Sequence, residues 1–287
     1  MLLTVVIGFS ILAAFFNALS SVLQRFEAGQ AEAKELFRSN FIKRLSTNKK
    51  WLEALLIELV AFIFQAAALK EGALIIVAPM LTVDLVFMML ILHFFKNTPV
   101  GKLEWLAIIL ICIGLSGMFL SADPKAGKRP FPISHLILVS AIIAVIIVIG
   151  IYAVRRTKAK TYRAAISGIA AGFSFALTAV FTKIVTRYIN HGFIALLTSW
   201  QLWGLFLAGI ISVIMAQNKY GAGPIAISQP AMELVEPIVG IILGIYLFGD
   251  KVSLNPLNLA FALFTAMLAA TGIFLLSRSK RLQIREI

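Results

Sequence analysis

The chain has 287 residues, of which 60% are hydrophobic and only 14% are charged. A soluble domain is about 45–50% apolar and about 25% charged, so both departures point toward a lipid environment. The composition also excludes a disordered chain and a collagen, and the single cysteine, Cys112, excludes an intrachain disulfide scaffold. The formal net charge of +13 is typical of nucleic-acid binding in a soluble protein, but in a membrane protein it reports topology instead.

Nine apolar runs are long enough to cross a bilayer, for which a helix needs roughly 20 residues. The runs lie at residues 3–23, 51–69, 73–95, 104–121, 133–154, 164–186, 193–216, 223–248 and 257–277. They occupy most of the chain and predict an all-α polytopic membrane protein without a soluble domain. The first run has no basic residue before it and is longer than a signal-peptide core, so it is expected to be an uncleaved helix.

The connections between these runs lie alternately on the two sides of the membrane, and the 26 lysines and arginines are distributed unevenly between those sides. One side contains 19 of them, including Lys219 in a predicted tight turn at 218–221, and the other side contains seven. Because cytoplasmic loops carry the excess of Lys and Arg, we predict an outside N-terminus and a cytoplasmic C-terminus. The seven cations on the predicted outer side are Lys70, Lys125, Lys128, Arg129, Lys183, Arg187 and Lys251.

The connection at residues 26–50 is long and richly charged. Phe37, Phe41, Ile42 and Leu45 fall on one helical face among lysines and arginines. This pattern fits a short helix on the inner membrane surface, and it fits a solvated loop equally well.

Two parts of the chain resemble each other. Residues 13–25 and 171–183 share the core Ala-Leu-Ser/Thr-x-Val and end on a cation, and the Lys-x-Gly-Ala motifs at 70–73 and 219–222 both precede a proline. We therefore predict that runs one to four correspond to runs six to nine in the opposite orientation, with run five as a linker. Inverted repeats are typical of secondary transporters, whose site lies near mid-membrane between them. The predicted units are residues 1–122 (first repeat), 123–160 (linker helix) and 161–287 (second repeat).

These motifs resemble those of the drug/metabolite transporter superfamily of the EamA type. The resemblance rests on the helix end at residues 18–25, Gly72-Ala73 with Pro79, Gly221 through Pro230 to Glu236-Pro237, and Phe248-Gly249-Asp250-Lys251. It implies a polytopic carrier of small metabolites or drugs, usually with ten helices. This chain lacks the second helix of each repeat and has an added middle helix, a layout similar to that of the NIPA-type magnesium transporters. A resemblance of this kind implies the fold more firmly than the substrate.

Four acids lie deep within the runs, where an ionisable group is costly and usually faces a partner or a water-filled cavity. In the eighth run Gln229, Glu233 and Glu236 share one helical face. Neighbouring carboxylates can bind a cation or cycle a proton against a substrate. Alternatively, one of them is structural and hydrogen-bonded to another helix. The other two deep acids are Glu58 and Asp84.

Glu58 shares a face of the second run with Gln65, and Asp84 follows Pro79 in the third run. We expect them to complete a polar cavity from the first repeat, or else to pair with each other or with Lys183. The remaining candidates are Asn17, Ser20, Ser174, Thr178, Trp200 and Gln201. The polar residues among them either bind substrate or hold helices together. The aromatic residue, Trp200, either stacks on a cation or anchors the helix at the membrane interface.

The sequence carries no phosphate loop, dinucleotide fingerprint, zinc-protease helix or nucleophile elbow, so neither an enzyme nor a cofactor is expected. The leading expectation is a secondary transporter that moves a small solute by alternating access, with possible proton coupling. A divalent-cation transporter of the magnesium type is the alternative, and a non-transporting scaffold is a third hypothesis. The expected partners are the lipid bilayer of a plasma or inner membrane and a small-molecule or cation substrate. No nucleic-acid partner is expected, and the protein is expected to be a monomer or a homodimer.

Overall fold

The computed structural model describes residues 2–28, 39–96, 101–122, 127, 132–189, 192–223, 225–251 and 255–277, and its regular elements are helices. A π-helical segment (Gly244–Phe248) extends the eleventh helix. The helices are α1 (Leu2–Ala28), α2 (Ser39–Ser46), α3 (Lys49–Glu71), α4 (Leu74–Leu81), α5 (Asp84–Lys96), α6 (Lys102–Ala122), α7 (Ile133–Arg156), α8 (Lys160–Tyr188), α9 (Phe193–Leu197), α10 (Trp200–Ala222), α11 (Ile225–Leu243) and α12 (Pro256–Ser277).

Within the described part of the chain, eight helical segments are long and apolar enough to cross a membrane. The predicted class, an all-α polytopic membrane protein, is thereby confirmed. Helix α6 covers the fourth predicted run but is not among the eight, so the count of nine spans stays a prediction. The lipid-facing surfaces are apolar, as on α7, where Ile137, Val148 and Ile149 are exposed by 60% or more.

The third span is broken, whereas the sequence predicted one continuous run at 73–95. Helix α4 contains Pro79 and ends at Leu81, and α5 begins at Asp84. The Thr82 hydroxyl donates to the Pro79 carbonyl oxygen over 2.7 Å and stabilises the tight turn between the two helices. Pro79 lacks the amide that would bond to Ile75, but the break lies three residues after it, and Pro230 and Pro237 lie within the continuous helix α11, so proline alone does not explain the break.

Two cations counted as loop residues are buried within helices, which corrects the predicted topology map. Lys219 belongs to α10, which continues to Ala222, so residues 218–221 are not the predicted turn. Lys183 is buried in α8. Without these two lysines, eighteen cations remain on the predicted inner side against six on the outer side, and the excess persists.

The short helix predicted in the connection at 26–50 is present as α2. Leu45 is buried and shares an apolar cluster with Trp51 at the start of α3. Phe37 and the side chains of Phe41 and Ile42 lie outside the described part of the chain, so contact of this face with the membrane surface stays a prediction.

The helices pack in corresponding pairs in the two halves of the chain. Helix α1 packs on α3, α4 and α5, and α8 packs on α10 and α11, while α6 pairs with α12 and α7 rests on α8. Small residues allow the closest approach, because a side chain added at Gly168 of α8 would lie 2.2 Å from the Ser228 carbonyl oxygen of α11. The inverted repeat and the boundaries at 122 and 160 stay predictions.

Candidate functional site

Four carboxyl groups from three helices, α3, α5 and α11, face a common region beside α1. They belong to Glu58, Asp84, Glu233 and Glu236, and each interacts electrostatically with the ammonium group of Lys219. The residues come from both halves of the chain, because α3 and α5 precede the linker helix and α10 and α11 follow it. We call these four acids the carboxyl cluster.

A cavity of about 60 Å³ lies beside the carboxyl cluster. One water needs roughly 10–15 Å³ by this kind of measure, so the space suits a few waters or a small ion. Side chains of α1, α3, α8 and α11 contribute to its wall. The lining residues are Ala13, Asn17, Glu58, Ala61, Phe62, Gln65, Leu81, Phe175, Thr178, Met232, Glu233 and Glu236.

Asp84 is the first residue of α5, and the helix break places it at the centre of the cluster. Its Oδ2 accepts a hydrogen bond from Asn17 Nδ2 over 2.8 Å. Its Oδ1 is buried, and the Asp84 carboxyl group is hydrogen-bonded to that of Glu233. Two carboxyl groups bond in this way only when a proton or a cation lies between them.

Lys219 is fully buried, with 0% of its surface exposed. Its Nζ donates to Gln229 Oε1 over 2.6 Å, and Gln229 Nε2 donates to Glu233 Oε1 over 2.8 Å. The ammonium also lies 3.2 Å from the sulfur of Met232. Lys219 therefore reaches the carboxyl cluster through an amide bridge rather than by direct pairing within the described residues.

A chain of amide side chains holds Glu58 from the opposite side. Gln24 Nε2 donates to Glu58 Oε2 over 2.5 Å and to Ser20 Oγ over 2.7 Å. Gln217 Nε2 donates in turn to Gln24 Oε1, and Trp51 Nε1 donates to Gln217 Oε1 over 2.9 Å. This network joins α1, α3 and α10 and fixes the orientation of the Glu58 side chain.

The structure brings most of the predicted site residues together. Asn17, Glu58, Gln65, Thr178, Glu233 and Glu236 line the cavity, and Asp84 and Gln229 are bonded to residues of that wall. The suggestion that Glu58 or Asp84 pairs with Lys183 is wrong, because Lys183 is paired elsewhere.

The side chains of the other four predicted residues neither line this cavity nor bond to a residue of its wall. Ser20 supports it through Gln24, and Ser174 bonds back to the Ala171 carbonyl of its own helix. Trp200 and Gln201 begin α10, eighteen residues or more before Lys219, which corresponds to about 27 Å along a helix. They therefore lie at a helix end and not within a continuous helix that begins near residue 193.

A second polar cluster ties together segments from both halves of the chain. Lys183 Nζ lies 3.7 Å from Asp250 Oδ1 and donates to the Gly72 carbonyl oxygen over 3.2 Å. Asp250 accepts from the backbone amides of Gly127 (2.8 Å) and Ile75 (3.3 Å). We call this arrangement the outer clamp, because the connections that meet there are those predicted to lie outside.

Phe248 and Gly249 position the outer clamp. Lys183 and Arg187 both lie over the Phe248 ring, with Nζ and Cζ at 5.2 and 4.9 Å from its centroid. Gly249 adopts a left-handed backbone conformation with φ 67°, which only glycine takes without strain and which turns Asp250 back toward the helices.

Sequence reasoning missed Lys219, Gln217 and Trp51 as parts of the site. Lys219 and Gln217 both come from the polar run at the end of α10, of which residues 218–221, including Lys219, are predicted as a turn. A signal was nevertheless available, since the run continues directly from an apolar stretch with no proline or glycine between Gly209 and Gly221.

No set of three or more His, Cys, Asp or Glu side chains within the described ranges is arranged to hold a metal ion directly. The oxygen chemistry of the carboxyl cluster nevertheless suits hard cations such as Mg²⁺, which keeps several of its waters when bound to proteins.

Comparison with known proteins places the chain beside two relatives. It is 26% identical over 246 residues to an uncharacterized protein of Corynebacterium glutamicum, an alignment that covers 85% of this chain and 84% of the relative. It is 20% identical over 259 residues to the probable magnesium transporter NIPA9 of Arabidopsis thaliana, with 84% of this chain and 73% of the relative covered. No family model and no solved structure matches.

Proposed function

We propose that this protein is a membrane transporter of small cations, with a divalent cation of the magnesium type as its cargo. The observation that carries the proposal is the carboxyl cluster beside a cavity of about 60 Å³ inside an apolar helical bundle. The apolar helices and the similarity to NIPA9 support a transporter in general.

The charge of the cluster favours a cation over other cargoes. An acidic side chain within a membrane span is costly, and such residues commonly mark ion pathways. Four carboxyl groups against one ammonium group leave an excess of negative charge if they ionise together. A cation that enters the cavity supplies the missing positive charge.

The size of the cavity supports the same cargo. Pockets for drug-sized molecules are roughly 300–1,000 Å³, several times the space present here. Mg²⁺ is bound in proteins through one or two carboxylates and several waters. Amide and carboxylate groups such as those of Asn17, Gln65 and Glu236, all in the cavity wall, are suitable partners for such waters.

For the mechanism we propose alternating access between two four-helix units around this site, as in the drug/metabolite transporter superfamily. The corresponding packing of α1 on α3 and of α8 on α10 supports two related units. The outer clamp closes the predicted outer end of the site in this conformation. Transport then requires that the clamp opens while the inner end closes. No catalytic step or cofactor is part of the proposal.

A second candidate is a carrier of a small polar solute, the other expectation for this superfamily. The amide network of Gln24 and Gln217 favours it, because such groups bind hydroxyl and amide functions of metabolites as readily as they bind each other. In that case the carboxyl cluster would carry protons in exchange for the solute.

The test uses purified protein in liposomes that enclose a magnesium-sensitive dye, with a Mg²⁺ gradient imposed from outside. We expect uptake of Mg²⁺ by the wild-type protein and loss of uptake in Glu236→Gln. The matched control is Glu53→Gln, because Glu53 belongs to the same helix as Glu58 but is exposed on its surface. Folding of each variant is checked by its elution profile and its thermal midpoint.

Uptake in Glu236→Gln at the wild-type rate would remove this carboxyl group from the pathway. Absence of Mg²⁺ uptake by the wild-type protein, together with proton-dependent uptake of a metabolite from a mixed panel, would favour the second candidate. Absence of any transport would favour the scaffold hypothesis.

A further inference from the structure

We infer that Lys219 is an internal counter-ion, which takes the place of the cargo among the carboxyl groups when the transporter returns empty. The inference rests on the proposed cation transport. It adds the residue that permits the empty transporter to return, which net transport requires and exchange of cargo does not. It begins from the burial of Lys219, since a fully buried ammonium group requires a partner.

The contacts of Lys219 show a retracted position. Its Nζ is held by Gln229 Oε1 (2.6 Å) and by the Met232 sulfur (3.2 Å), and it lies 4.5 Å from the centroid of the Tyr220 ring. Gln229 separates it from Glu233, to which the same amide group donates. The ammonium is therefore beside the carboxyl cluster but leaves the carboxylate oxygens available.

The cluster offers a place for this ammonium group. Asp84 Oδ1 is buried, and the Asp84 and Glu233 carboxyl groups are hydrogen-bonded to each other, a contact that requires a proton or a cation between them. A lysine has a flexible four-carbon stem and a compact charge, so a change of rotamer carries the ammonium past Gln229 toward these oxygens. Direct pairing of this kind places the ammonium group where that proton or cation otherwise lies.

The consequence concerns the empty transporter. When cargo is bound, the cation compensates the carboxyl groups and Lys219 stays retracted. When the site is empty, several buried carboxylates without a countercharge make rearrangement in the membrane costly. Insertion of Lys219 lowers this cost and permits the return step, so that net transport becomes possible. Without the ammonium group, only the loaded transporter can rearrange, and the protein exchanges cargo without net flux.

The experiment measures both modes with Mg²⁺ in proteoliposomes. Net uptake is followed with a lumenal magnesium-sensitive dye against an outside gradient. Exchange is followed with isotopically labelled Mg²⁺ outside and an equal concentration of unlabelled Mg²⁺ inside. The wild-type protein is expected to perform both. Failure of the wild-type protein in both assays would reject cation transport itself, and so separates the proposed function from this inference.

The neutral variants decide the inference. We expect Lys219→Gln and Lys219→Met to lower the ratio of net uptake to exchange by about tenfold or more relative to the wild type, which corresponds to a higher barrier for the return step than for the loaded step. Lys219→Arg, which keeps the charge, is expected to retain net uptake. The inference is overturned if a folded neutral variant keeps both modes, or if it loses both.

A compensating variant keeps the test decisive if the neutral single variants do not fold. Lys219→Gln with Glu233→Gln removes one charge of each sign, and it is expected to fold and to keep a ratio of net uptake to exchange within about threefold of the wild type. A double variant that folds and exchanges Mg²⁺ but shows no net uptake would overturn the inference.

Discussion

Lys183 and Asp250, both in the second half of the chain, form a buried ion pair with 3.7 Å between Nζ and Oδ1. Asp250 follows the π-helical end of α11 and binds the backbone amide of Ile75 from the first half. Lys183 in α8 binds the carbonyl of Gly72, again from the first half. Both partners thus hold the start of α4 against the second half of the chain.

The first prediction concerns this pair. Removal of one partner leaves the other charge buried, which typically costs about 3–5 kcal/mol, so Lys183→Met and Asp250→Asn should each lower the thermal midpoint in detergent. The double variant should lose less stability than the sum of the single variants, with a coupling of about 0.5–3 kcal/mol. Additive losses would show that the two side chains do not act together.

The second prediction concerns the close packing of α8 on α11. A side chain at Gly172 would lie 2.9 Å from the Met232 carbonyl oxygen, and one at Gly168 would lie 2.2 Å from that of Ser228. We expect Gly168→Ala and Gly172→Ala to destabilise the protein by about 1–3 kcal/mol through overpacking. Gly209 of α10 has no atom within 4 Å of such a side chain, so Gly209→Ala is the matched control. Equal thermal midpoints for the three variants would contradict the packing.

The third prediction concerns the hydrogen bond from Trp51 to Gln217. Trp51→Phe keeps an aromatic ring but removes the Nε1 donor, so the buried Gln217 Oε1 loses the donor that lies 2.9 Å away. The expected loss is about 1–3 kcal/mol, measured as a lower thermal midpoint. Trp105→Phe is the control, since Trp105 is 47% exposed. If both variants lose the same stability, the hydrogen bond is not the cause.

The fourth prediction tests the orientation that the distribution of cations indicates. In a Cys112→Ala background, Glu71→Cys at the end of α3 should react with a membrane-impermeant maleimide added to intact cells. Ser46→Cys at the end of α2 should react only after the membrane is made permeable. Both positions are exposed at helix ends. The reverse labelling pattern would place the N-terminus inside and would overturn the topology.

The positions of most helices could be predicted from the sequence, because an apolar run of sufficient length leaves few alternatives in a bilayer. The start of α10 shows where this reasoning fails. The apolar run begins near residue 193, but the chain forms the short helix α9 there, and α10 begins only after Ser199, whose side chain caps it at Leu202. Capping by serine was visible in the sequence; hydropathy alone does not reveal it.

The acids of the carboxyl cluster could also be predicted, since a carboxyl group in the middle of an apolar run is conspicuous. Lys219 could not be recognised in the same way, because a lysine near a run's end ordinarily belongs to a loop. Its burial depends on α10 continuing to Ala222 and on the position of Gln229 in the next helix. That contact is tertiary, and no local pattern specifies it.

The turn at Thr82 and Val83 divides one membrane span into two helices. The first, α4, is hydrogen-bonded through Ile75 to the outer clamp, and the second, α5, carries Asp84 into the carboxyl cluster. If the protein transports a cation as we propose, a rotation at this turn would move Asp84 relative to Glu233 without requiring Ile75 to release Asp250. The two ends of the proposed permeation path would then change one after the other, which a continuous rigid helix would not allow.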